Sequence, residues 1–158
     1  MTEDLAALDR FTTVLEWLLA VRERRAELSS IVLIHVSFHD QQRLGDAYGA
    51  SEAHHMLAAL GDRLRQAFRK SDLVARDGSD FWILIPYEVP ATVTERVAML
   101  VDLAAQDGLD IVDRDIGFYS LAGAAGDDIA FTSAAAFLDY LKRHEQTTYR
   151  WEHVQPAT

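Results

Sequence analysis

Asp72-Leu-Val-Ala-Arg-Asp-Gly-Ser-Asp-Phe-Trp-Ile-Leu-Ile-Pro86 is the stretch whose reading decides the fold. Its arms, Leu73 to Arg76 and Phe81 to Ile85, are each of strand length, and Asp77-Gly78-Ser79 between them is turn chemistry, so the segment predicts a β-hairpin. Pro86 and Pro90 end it, because proline cannot donate to a sheet ladder. Upstream, Ile31-Val-Leu-Ile-His-Val-Ser-Phe38 is a continuous apolar run, expected of a central strand covered on both faces. A hairpin and a buried strand imply one sheet, and the remaining segments must supply its covers.

Those segments read as helices. Leu5, Leu8, Phe11, Leu15, Leu18 and Val21 form one stripe on a helix within residues 2–28, opened by acids and closed by Arg22, Arg24 and Arg25 in accord with the helix dipole. Val14 and Trp17 lie off that stripe and suggest a second contact face. Residues 40–48 predict a short polar helix ending at Gly49. Ser51 then caps a helix with the stripe Ala53, Met56, Leu57, Leu60, Leu64 and Phe68. Val93, Val97, Leu100 and Ala104 mark another helix, Ile111 to Leu121 holds strand-like stretches, Ser133 caps a helix through Phe137, Leu138 and Leu141, and Tyr149 to Val154 alternates like a last strand. The order predicts an α/β fold, an α+β sandwich with helices packed on a mixed central sheet.

Composition limits what such a domain can do. The 158 residues suit a single domain, with 49% hydrophobic and 25% charged residues. A net charge of −10 gives no overall attraction for nucleic acid or anionic lipid. The absence of cysteine excludes disulfides, thiolate zinc sites and a cysteine nucleophile. An acidic start and no long apolar run point to a soluble, cytoplasmic protein without membrane insertion.

The hairpin with Asp77-Gly78-Ser79-Asp80-Phe81 at its turn, the preceding strand and the Asp46-x-Tyr48-Gly49 helix together resemble a GGDEF domain, the diguanylate cyclase-like module, over residues 29–154. The resemblance implies an N-terminal helical extension at 1–28, the domain proper at 29–154 and a tail at 155–158. It also implies that the first strand should end in a metal-binding Asp-x-Asp, where this chain has Ser37 and His39. The guanine-reading Asn-Asp pair falls on Gly45 and Asp46, and the Gly-Asp of the next helix has become Ala53-His54.

At the signature two registers compete, since the chain is one residue short between Arg76 and Phe81. In one, Asp77, Gly78, Ser79, Asp80 and Phe81 fill the five family positions, and Asp80 stands for the metal-binding glutamate, one methylene shorter. In the other Phe81 falls on the glutamate position and no second ligand remains. Both lose the first glycine and place a carboxylate where the backbone must approach phosphate. Serine brings no charge to a magnesium site, which relies on carboxylates and substrate phosphates. Phosphoryl transfer depends on positioned metal ions, so the resemblance implies an inactive relative with no catalytic residues, bound metal or cofactor.

Arg69-Lys70-Ser71-Asp72 matches the family's Arg-x-x-Asp product site, which implies cyclic di-GMP binding by Arg69 and Asp72. A helix C-terminus followed by a turn-capping aspartate accounts for the same residues without a ligand. His35 reads as a hydrogen-bonded core histidine, Glu52 with His54 and His55 as a solvated helix surface, Trp82 as sheet packing and Asp127-Asp128 as a loop turn. The resemblance therefore implies an inactive regulatory or interaction domain, with cyclic di-GMP reception as its sharpest form and the N-terminal helix as a dimer or partner contact. The alternatives are an active diguanylate cyclase and a nucleotide-independent interaction module.

Overall fold

The computed structural model describes residues 2–22, 31–69, 72–85, 91–120 and 133–143. The predicted strand at 149–154, Pro86, Pro90, Lys70, Ser71, Asp127-Asp128 and Trp151 lie outside them. The elements run α1 (Thr2–Arg22), β1 (Val32–Phe38), α2 (Gln41–Tyr48), α3 (Ala50–Ala67), β2 (Leu73–Asp77), β3 (Asp80–Ile85), α4 (Ala91–Gln106), a 3-10 turn (Leu109–Ile111), β4 (Arg114–Ser120) and α5 (Ala134–Arg143).

The four strands form one sheet in the order β2-β3-β1-β4. The apolar run at Ile31–Phe38 thus becomes the inner strand β1, between β3 and β4, as its two-sided hydrophobicity predicts. Both its neighbours run antiparallel to it, and β2 runs antiparallel to β3, so the sheet expected to be mixed is antiparallel throughout its described strands. The reason is topological: the helical crossover α2–α3 carries the chain from β1 to β2, which is not a neighbour of β1.

Because side chains alternate across a strand, β1 divides the interior into two layers. Ile34, Val36 and Phe38 join Phe81, Ile83, Ile85 and Ile116 under α2, α3 and α4, in a core completed by Leu44, Leu57, Leu60, Leu64, Val97 and Val101. Leu33 joins Ala75, Trp82 and Leu84 on the other face, beneath Phe11, Leu15, Leu18 and Leu19 of α1 and Phe137, Leu138 and Leu141 of α5. The N-terminal helix therefore supplies core, packing on β2 and against α5. Its off-stripe residues behave differently: Val14 packs at the core margin, whereas Trp17 is 64% exposed.

Two helix starts show how local chemistry sets boundaries. Ser133 caps α5 as predicted, its Oγ accepting from the Ala136 N–H at 3.1 Å. Ser51 does not cap α3. That helix begins at Ala50, and only Gly49, at φ +88°, separates it from α2, a conformation that glycine alone adopts cheaply. Among the described residues no helix is long and apolar enough to cross a membrane.

Candidate functional site

The candidate residues gather where β1 ends beside the β2–β3 turn. Ser37 on β1 stands opposite Asp80 on β3 and opposite Asp115 on β4. Asp77 pairs with Asp80 across a two-residue turn, in which Gly78 takes φ +64°. The Ser79 carbonyl accepts from the Phe38 N–H at 3.1 Å and ties the turn to the end of β1.

Strand alternation sends Asp80 and Phe81 to opposite faces. Phe81 is fully buried under the α2–α4 layer, edge-on to Phe38 with ring centroids 6.3 Å apart. Asp80 faces the α1–α5 layer. His35 Nε2 lies 2.8 Å from its Oδ1, and Lys142 Nζ of α5 lies 3.2 Å from its Oδ2. His35 is only 1% exposed and stacks on Trp82, with centroids 3.9 Å apart and rings within 8° of parallel. Burial pushes the Asp80 carboxyl upward, but the His35 hydrogen bond and charge, together with Lys142, outweigh it and hold the group below its ordinary range.

On the other side of the hairpin, Arg76 is buried and turns toward α3. Its Nε donates to the Gly78 carbonyl at 2.9 Å and a terminal nitrogen lies 3.2 Å from His54 Nδ1. A guanidinium only donates, so His54 Nδ1 accepts and its ring proton sits on Nε2. His54 lines a groove of about 370 Å³ with Gln41, Gln42, Gly45, Ala50 and Ala53. Among the described residues no carboxylate belongs to that lining, and Asp46 is exposed outside it. Gln41 leans over the hairpin turn, its Oε1 3.3 Å from where a Cβ on Gly78 would lie.

His39 lies just past β1, its backbone N–H donating to Asp113 O at 2.8 Å and its Nε2 2.5 Å from Asp115 Oδ2. Arg69 and Asp72 sit elsewhere, before β2 and away from the hairpin turn. The Asp72 N–H donates to Arg69 O at 2.9 Å and one carboxylate oxygen accepts from the Arg69 N–H at 3.1 Å, so the pair closes a turn. Asp72 is buried, its Oδ1 without a hydrogen-bond partner among the described residues, while Arg69 is exposed.

The structure thus joins Ser37, Asp77, Gly78, Ser79 and Asp80 in one patch, places Gly45 in the neighbouring groove and separates both from Arg69 and Asp72. Sequence reading missed Lys142, Arg76 and Asp115 as partners. Only His35, a titratable residue inside an apolar strand, signalled a buried polar contact. Glu52 and His55 are exposed, as expected of a solvated helix surface, whereas His54, expected to share it, is half-buried against Arg76. Among the described residues no three His, Cys, Asp or Glu side chains converge in a group fit to hold a metal ion.

Comparison with known proteins places this architecture. The profile of the diguanylate cyclase GGDEF domain matches residues 5–108, and the chain belongs to that family. The match opens inside α1 and closes before β4. Solved relatives share the fold at low identity. The GGDEF domain of YfiN (TpbB) from Pseudomonas aeruginosa is 20% identical with a TM-score of 0.52, over 88% of this chain and 91% of that one. The GGDEF domain of DgcB from Caulobacter crescentus, solved with cyclic di-GMP, is 14% identical with a TM-score of 0.57, over 87% and 81%. The diguanylate cyclase SiaD from Pseudomonas aeruginosa, solved with its activator SiaC, is 19% identical with a TM-score of 0.53, over 83% of this chain and 54% of that one. A search of curated proteins returned no match.

Proposed function

We propose that this GGDEF domain is catalytically inactive and serves as a regulatory or interaction module in cyclic di-GMP signalling. The observation that carries the reading is the state of Asp80, whose two oxygens are already engaged by His35 and Lys142. Burial of Phe81 in the core supports the register in which Phe81 keeps the family phenylalanine position and Asp80 stands at the glutamate. Ser37 beside it brings no charge. A carboxylate neutralised from within, next to a hydroxyl, does not fit a hard divalent cation that needs several oxygen donors. Without positioned metal the main source of rate in phosphoryl transfer is missing. Purified protein incubated with GTP and Mg²⁺ or Mn²⁺ should yield no cyclic di-GMP by chromatography. Product above a no-protein control would overturn the reading.

Cyclic di-GMP binding by Arg69 and Asp72 is the sharper form of this proposal. It draws support from the exposed Arg69 guanidinium, free to face a phosphate, on a turn held by the Asp72 carboxylate. Calorimetry with cyclic di-GMP should then show saturable binding that Arg69→Ala abolishes. Silence toward cyclic di-GMP and GTP alike leaves a nucleotide-independent interaction module. In either form the exposed Leu5 and Trp17 of α1 offer a contact for a second copy or a partner protein.

A further inference from the structure

Lys142 belongs to α5, beyond the residues that the family profile matches, yet it reaches the hairpin at the heart of that match. With ten residues, α5 is too short to hold its shape alone and depends on docking. Ala134, Phe137, Leu138 and Leu141 bury its apolar face beside Trp82 and Leu33. That burial docks the helix on the sheet, and being non-directional it selects no particular charged partner. The charged contact is directional. His35, pinned flat on Trp82, fixes one oxygen of Asp80, so the other is held toward α5, where Lys142 meets it. The side chains are 18% and 36% exposed, so water screens the pair less than it would an open surface pair.

We propose that Lys142 and Asp80 form a latch, in which the signature carboxylate anchors α5 on the sheet and α5 supplies that carboxylate's counter-cation from within the chain. Whatever draws α5 away uncovers the Trp82 face and in the same step frees the Asp80 oxygen that Lys142 holds, while the other stays with His35. The latch stands on these contacts whether or not cyclic di-GMP binds.

Amide hydrogen exchange across α5 in the full chain tests it. Lys142→Met keeps the stem and removes the charge, Asp80→Asn removes the anchor, and Lys142→Arg restores a cation. Each of the first two should speed exchange in α5 by about five- to tenfold, and the double variant should be no faster than the faster single variant. Lys142→Arg should stay within about twofold of the parent. Unchanged α5 exchange in Lys142→Met, or single effects that multiply in the double variant, would overturn the proposal. Should Asp80→Asn fail to fold, the Met and Arg variants decide alone, because a half-exposed lysine leaves no cavity.

Discussion

The two faces of the sheet share the same strands and are built on different terms. Toward α2, α3 and α4, the side chains of β1 and β3 are all apolar, from Ile34 and Ile85 to Phe38 and Phe81. Toward α1 and α5 the same strands begin apolar at Leu33 and Leu84 and turn polar at His35, Ser37 and Asp80. Along these two strands the first face holds by packing, and the charge buried there, Arg76, comes from β2 and is held by the Gly78 carbonyl and His54. The second buries charge, and a charge out of water must be paired or it costs several kcal/mol. Its polar end therefore ties Asp80 to both His35 and Lys142.

The largest effect should come from the dry face. Phe81→Ala removes a fully buried ring against Phe38 and Gly61 and should cost about 3–5 kcal/mol in denaturant unfolding. A loss under about 1 kcal/mol would mean that this layer is not the tightly packed one. On the polar face the diagnostic is pH. The folded Asp80 carboxyl titrates below its unfolded counterpart, so its stabilisation is complete above about pH 4 and is lost as pH falls through the lower, folded value. Asp80→Asn should thus be less stable at neutral pH and show a flatter acid limb in unfolding midpoints. An unchanged acid limb would say that the seam carries no net charge coupling.

Smaller effects sharpen the contrast between helix ends and helix surfaces. Ser133→Ala removes the α5 cap and should cost about 1 kcal/mol, read from thermal unfolding. Trp17→Ser changes an exposed side chain and should leave stability within about 0.5 kcal/mol while lowering any self-association seen in sedimentation. A large loss of stability there would instead make Trp17 part of the α1 core contact.

Local rules carried most of the fold. The two-sided apolar run gave β1 its central place, and turn residues between two short arms gave the hairpin, whose turn is two residues long because Asp77 and Asp80 themselves pair. Ser133 was legible as a cap because a hydroxyl three residues ahead of an N–H is a local motif. Ser51 was not, because a single glycine at positive φ moved the helix start upstream of it. The site was half legible. Ser37, Asp77 and Asp80 could be grouped through the family pattern, but the contacts of His35 with Asp80, of Arg76 with His54, of His39 with Asp115 and of Lys142 with Asp80 join distant segments. No periodicity or spacing encodes such contacts, which exist only once the strands are in register.

The inner position of β1 has a consequence for synthesis. It is the first of the described strands to be made, yet both its ladders wait for strands that lie far downstream, β3 and then β4. Until those emerge, Ile31 to Phe38 is an unpaired, sticky ribbon of the kind that seeds aggregation, and the topology is non-local and slow to close. The helix α1, made before β1, can cover its Leu33 face, and the pair α2–α3, made directly after it, is the first cover for Ile34, Val36 and Phe38, so substitutions that weaken α2 and α3 should lower the yield of native protein before they alter anything the finished molecule does.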